Sequence, residues 1–307
     1  MTSERMSQTP NINADGEHRK GLIAGLAAYT WWGLFPVYFV LTKAVPALEI
    51  LSHRVLWSVP FCFLILLMRQ QLPALWTALR DTKTVLYLGI AAVFLSINWG
   101  VYIWAVQNEQ IFQGSLGYYI NPLLYVLVGV VFFGERMSRL QTLAIVLALL
   151  GVTVLTVYGG VFPWISLILG VTFTSYGVFK KQVNIGAMPG LQIETLVLFI
   201  PAAALMFYIS QTEGLGFTNV SREIDFLLLL AGPVTVLPLL AFSFAARRIK
   251  LSTLGFLQYV GPTLQFGCGL YFGETFTPAH AICFILIWTG VAIFAWDSWR
   301  KRPLPTP

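Results

Sequence analysis

The sequence predicts an all-α integral membrane protein, with ten transmembrane helices arranged as two inverted five-helix repeats and both termini cytoplasmic. Three observations lead to this. Hydrophobic residues make up 57% of the 307-residue chain and charged residues 10%, against about 25% charged in a soluble domain, and the mean hydropathy is +0.75. The apolar residues gather into runs near the roughly 20 that cross a hydrocarbon core. The second half of the chain also repeats the first.

The runs fall at 21–41, 47–68, 84–106, 113–133, 138–158, 161–180, 191–209, 226–246, 253–273 and 279–297. Connections are short except for the polar stretch 210–225. Residues 1–20 are polar and poor in aromatics, which predicts a disordered cytoplasmic segment, and 298–307 reads as a cytoplasmic tail. The run at 21–41 exceeds a signal-peptide core and has no clear small-residue cleavage site, so it reads as a retained first helix. Of the 19 Lys and Arg residues, all but Lys43, Arg222 and Arg54 fall in the N-terminal segment, the C-terminal tail or the alternate connections between them. That is the positive-inside pattern, and it predicts the orientation. It also explains the net charge of +6 as topology; the partner is a lipid bilayer, not nucleic acid. Cys62, Cys268 and Cys283 lie in apolar runs without metal-ligand spacing and read as small buried hydrophobes. No metal and no cofactor are expected.

The repeat is visible in "FFGERMSRLQTLAIVLALLGV" (132–152) against "YFGETFTPAHAICFILIWTGV" (271–291), and in "HRVLWSVP" (53–60) against "ETLVLFIP" (194–201). Asn121-Pro122 corresponds to Gly261-Pro262 with a one-residue slip. The repeats span 21–158 and 161–297. Each holds an odd number of helices, so the second is inverted relative to the first, as in alternating-access transporters.

"EILSHRVLWSVPF", "NWGVYIWAVQNEQIFQGSLGYYINPLLYVLVGVVFFGER" and "LSTLGFLQYVGPTLQF" closely resemble RarD-type permeases, in the EamA branch of the drug/metabolite transporter superfamily. The resemblance covers about residues 20 to 297. It implies the EamA fold, a central cavity lined mainly by spans 1–4 and 6–9, residence in the bacterial inner membrane and export of small molecules. It does not name a substrate.

Intramembrane polar residues are the functional candidates. At 1.5 Å per residue, Arg54 lies about 10 Å below the outer surface, and Asn98 and Asn121 about 12 Å. The three share a level with Trp99 and Tyr118. Near the inner surface lie Glu194, Gln258 and Tyr259. Expected partners for Arg54 are Asn98, Asn121, a backbone carbonyl or Glu49; Glu194 is about 15 Å away along the membrane normal, too far to pair. Glu49 precedes His53 by one helical turn and shares its face. His53 is a candidate proton-coupling group. Pro122 and Pro262 are expected to shape their helices, with the Asn121 amide satisfying a carbonyl freed by Pro122. Glu135 and Glu274, each following a Gly at a helix end, read as loop-capping residues.

The function this predicts is an inner-membrane secondary transporter, a permease or exporter moving a small metabolite or drug-like solute. The alternatives are a channel or membrane scaffold. A membrane-embedded enzyme is disfavoured, because no HExxH, GxSxG or paired-Asp pattern is present, and no P-loop ties the chain to ATP. The sequence specifies neither oligomeric state nor coupling ion.

Overall fold

A computed structural model describes residues 12–134 and 136–300. Glu135 and the segments 1–11 and 301–307 lie outside the described residues. The described chain is helical throughout and contains no strand. Its helices are α1 (Ile12–Gly33), α2 (Phe35–Leu41), α3 (Ala47–Met68), α4 (Leu72–Arg80), α5 (Thr82–Gln107), α6 (Ile111–Phe133), α7 (Arg139–Val157), α8 (Trp164–Lys181), α9 (Ala187–Thr212), α10 (Arg222–Leu229), α11 (Ala231–Ala246), α12 (Leu251–Leu257), α13 (Val260–Tyr271) and α14 (Pro278–Arg300). Among the described residues, 8 helical segments are long and apolar enough to cross a membrane, three of them Gly16–Leu41, Ala47–Met68 and Arg222–Ala246. The expected spans at 161–180 and 253–273 correspond to α8, which has 18 residues and ends in Lys180 and Lys181, and to the pair α12–α13.

Three expectations are corrected. Residues 12–20 are helical, continuing α1 back from Gly21, and Glu17 anchors this extension by accepting from Lys20 Nζ at 2.7 Å and from Arg248 Nε at 2.8 Å. The connections at 69–83 and 210–225 carry helices of their own, α4 and the start of α10. Finally, three expected spans are discontinuous, at Leu34, at Leu230 and at Gln258–Tyr259. The first break has a local cause. Pro36 has no N–H to return to the Trp32 carbonyl, and Gln265 Nε2 on α13 donates to that carbonyl at 3.3 Å. Gly33 lets α13 come this close, because a Cβ there would collide with Leu264.

Packing pairs elements from the two halves: α7 with α14, α3 with α9, α5 with α8, α1 with α11, and α6 with α13. Exchanging the halves maps α5–α8 onto α1–α11 and each other pair onto itself. Ser115 Oγ donates to the Pro262 carbonyl at 2.8 Å, and the Tyr119 and Thr263 hydroxyls lie 2.7 Å apart, tying α6 to α13. The largest apolar cluster gathers Phe39, Ile50, Tyr102, Ile103, Ile165 and Leu228. Cys62, Cys268 and Cys283 are buried and free.

Candidate functional site

Arg54 is 2% exposed, on a helix of high apolar content. Its Nε donates to Thr235 Oγ1 on α11 at 3.0 Å, and Thr235 in turn donates to the Ala231 carbonyl at 2.8 Å. Gly232 makes this approach feasible, since a Cβ there would strike the Trp57 backbone on α3. The guanidinium lies over three aromatic faces: Trp99 at 4.2 Å, Phe35 at 5.4 Å and Phe39 at 5.5 Å. The α1–α2 break places those two Phe residues on a separate short helix. A guanidinium has five N–H donors. Among the described residues, Arg54 makes no other hydrogen bond and no ion pair. Asn98, Asn121 and Glu49 are therefore not its partners; a hydroxyl and ring quadrupoles take that role.

Asn98 and Tyr118 form a separate group. Tyr118 Oη donates to Asn98 Oδ1 at 2.9 Å, and Asn98 Nδ2 donates to the Leu169 carbonyl at 2.9 Å and to Thr172 Oγ1 at 3.0 Å. This group joins α5 and α6 to α8. It adjoins Arg54 through the chain itself, because Trp99 follows Asn98. Asn121 also turns to α8. With its amide nitrogen inward it donates to the Gly117 and Gly170 carbonyls, both at 3.3 Å. Pro122 leaves the Tyr118 carbonyl without its usual donor, so the amide serves a different carbonyl from the expected one. α6 continues past Pro122, whereas Pro262 sits in the first turn of α13, where a missing N–H costs least.

His53 and Glu49 share a face as expected. Glu49 Oε1 lies 3.8 Å from His53 Nε2, longer than a hydrogen bond. Both Glu49 oxygens are otherwise engaged, accepting from Gly216 N and Phe217 N at 3.0 Å. Trp57 Nε1 donates to His53 Nδ1 at 3.0 Å. Indole is only a donor, so Nδ1 is the unprotonated nitrogen and the neutral ring carries its proton on Nε2, facing Glu49.

Glu194, 1% exposed, has a partner that the sequence assigned to a loop. Lys180 Nζ donates to Glu194 Oε1 at 2.7 Å and to Tyr176 Oη at 2.6 Å. Gln258 lies at the α12–α13 break, and Tyr259 stacks on Tyr119 with ring centroids 6.3 Å apart. Neither joins Glu194, so the inner candidates are two places, not one.

Glu274 caps a helix rather than its own loop. Its carboxylate accepts from Phe112 N at 3.0 and 3.2 Å, at the start of α6. Burial outweighs these bonds, and with like-charged Glu109 nearby the carboxyl is pushed up to about 7.

Thr235, Lys180, Tyr176, Phe35 and Phe39 were missed by sequence reasoning. For Lys180 a signal existed. Its expected depth is that of Glu194, and the depth arithmetic that separates Glu194 from Arg54 brings the two together.

The profile of the EamA-like transporter family matches residues 19–157. Protein RarD of Streptomyces exfoliatus is 41% identical, with 94% of this chain and 92% of that protein covered. An uncharacterized transporter of Vibrio cholerae serotype O1 is 39% identical, with 91% and 93% covered. A crystal structure at 20% identity superposes with a TM-score of 0.59 over 92% of this chain and 99% of that one, and this shows a shared fold. The chain belongs to the EamA-like transporter family, as a RarD-type member. It is a multi-pass membrane protein of a bacterial transporter family.

Proposed function

We propose that the protein is an inner-membrane secondary transporter that moves a small, aromatic or amphiphilic solute bearing an anionic or strongly accepting group, by alternating access. Arg54 is the observation that carries this reading. A buried cation without a carboxylate partner retains donors for a ligand, and the Trp99, Phe35 and Phe39 rings offer flat apolar surface beside it. Its hydroxyl partner, Thr235, belongs to the other repeat, so a solute held at Arg54 touches both halves that must move.

The ten-span reading counts α1–α2, α10–α11 and α12–α13 as single interrupted spans and α8 as a short one. Interrupted spans near the site and the exchange symmetry of the helix pairs support an inverted repeat. The positive-inside pattern supports cytoplasmic termini. Trp99, Tyr118, Asn98 and Asn121 would line the outer half of the pathway, and Tyr259, Gln258 and Glu194 the inner half, with rocking about α3 and α9. The direction is export, by the resemblance. An ion or solute gradient supplies the energy. His53 is the group placed to take a proton, because protonation at Nδ1 expels the Trp57 indole N–H and turns the Glu49 contact into an ion pair.

Purified protein in liposomes tests the reading against a panel of aromatic anions and amphiphiles. Saturable flux of at least one, with no single-channel conductance in planar bilayers, is expected. Conductance steps would establish a channel instead.

A further inference from the structure

At the end of the bundle assigned to the cytoplasm, a pocket of about 180 Å³ opens between the end of α3, the starts of α4 and α9 and the end of α11. Arg69, Arg247 and Arg248 line it, with Gln71 beside them and Met188 and Phe244 as apolar wall. Among the described residues, no carboxylate lines it. Arg248 is engaged, its Nε by Glu17 at 2.8 Å and its Nη1 by the Phe244 carbonyl at 3.3 Å. The Arg69 and Arg247 side chains make no hydrogen bond or ion pair with any described residue. The Gln71 Oε1 atom is buried without a hydrogen-bond partner.

The backbone contributes in the same sense. α9 has 26 residues, Gly186 gives it no side-chain cap, and its first two residues, Ala187 and Met188, line the pocket. The positive end of that helix dipole therefore adjoins the same space as the arginines.

Loop arginines satisfy the positive-inside pattern wherever they lie on the rim. That pattern does not require three of them around one concavity whose described lining holds no acid, at the start of a long helix. We propose that this pocket is a phosphate-binding site at the inner face, taking a phosphate diester or monoester through Arg69 and Arg247. The apolar wall and the membrane-level position match a phospholipid headgroup, and a cytosolic phosphate compound presents the same chemistry.

Thermal unfolding of the full chain in a neutral detergent tests the site, with phosphatidylglycerol, cardiolipin, phosphatidylcholine or inorganic phosphate added, and with native mass spectrometry counting retained lipid. The wild type should be stabilised by an anionic phosphate probe, with at least tenfold weaker apparent binding in Arg69→Gln/Arg247→Gln. A Lys181→Gln/Lys250→Gln variant removes the same charge from the rim outside the pocket and should bind as wild type. Gln71→Glu, which keeps every arginine, should block binding and covers the case in which the double arginine variant fails to fold. Stabilisation by phosphatidylglycerol or cardiolipin alone identifies a lipid headgroup; an equal response to inorganic phosphate identifies a soluble source. No response to any phosphate probe, or equal losses in the pocket and rim variants, overturns the proposal. These readouts do not involve flux, so they stand or fall apart from the transport reading.

Discussion

Arg54 and Glu194 are buried charges of opposite sign that the fold accommodates in opposite ways. Glu194 sits in a closed set: Lys180 at 2.7 Å supplies the counter-charge, and Tyr176 bridges the two. Arg54 sits in an open one, with a single hydrogen bond to Thr235 and three aromatic faces. Desolvating an ion costs several kcal/mol. A counter-ion can offset that within the protein. A hydroxyl and ring quadrupoles offset less of it, and they leave donors free. On the proposed function, the difference separates a group that fastens α8 to α9 from one that meets a ligand.

Substitutions at the two charges should therefore fail differently. Arg54→Gln keeps a hydrogen-bond donor at the level of the arginine Nε for Thr235 but removes the charge. It should reduce flux at least about 100-fold, which is roughly 2.7 kcal/mol, with an unfolding midpoint near that of the wild type. Proteoliposome flux and thermal unfolding of the same preparation check it. Loss of the folded protein with loss of flux would make Arg54 a structural group and erase the contrast.

Glu194→Ala should show the reverse emphasis. It leaves Lys180 without its counter-ion. Breaking a buried pair costs about 3–5 kcal/mol, and the Lys180 side chain is 28% exposed, so about 2 kcal/mol is expected. Lys180→Met combined with Glu194→Leu should recover most of that stability, because the pair itself contributes little beyond its apolar replacement. If the double variant is folded but inactive, Glu194 has a role in transport beyond fastening α8 to α9.

Lys180 also shows where the sequence stops being legible. Counting Lys and Arg by loop filed Lys180 with Lys181 as inner-rim charge. Which way a last-turn lysine points depends on a neighbouring helix, and that is tertiary information. The helix breaks behave similarly. Pro60, Pro122, Pro201 and Pro238 lie inside unbroken helices, so proline alone does not announce a break. At Pro36 the chain separates, and Gln265, more than two hundred residues away, supplies the missing donor to the Trp32 carbonyl. Arg54, Asn98 and Asn121 were legible as intramembrane polar residues because composition makes them rare. Their partners were not, because Thr235 is an ordinary residue in an apolar run.

Glu274 is an intermediate case. Like Arg54 it is held by dipoles rather than a counter-ion, but it lies in a connection that water can reach, so it can lose its charge by taking a proton. In the folded chain it titrates at about 7, against about 4.3 for an exposed Glu. Between those values the folded state holds more protons than the unfolded one. Stability from this group is thus complete below about pH 4 and is lost as pH rises through about 7. Comparing unfolding midpoints at pH 5 and pH 8 should show the wild type falling further than Glu274→Gln, which carries no titrating group. An equal fall in both would place the titration elsewhere.

The smallest effect belongs to Asn121, a neutral member of the expected outer polar layer. Asn121→Ala removes the two 3.3 Å bonds to Gly117 and Gly170 without exposing or orphaning a charge. Both carbonyls have ordinary intrahelical donors in reach, from residues 121 and 174, so the loss is that of the side-chain link between α6 and α8. One net hydrogen bond contributes about 1 kcal/mol, and destabilisation of about that size is expected in thermal unfolding, with saturable flux retained. Asn121→Asp changes the sign of the test by placing a carboxylate among carbonyl oxygens. If Asn121 only joins α6 to α8, Asp should destabilise more than Ala. If the side chain instead faces a solute held at Arg54, Asp should spare the fold and suppress anion flux, and this neutral member of the layer would then belong with Arg54 rather than with the helix contacts.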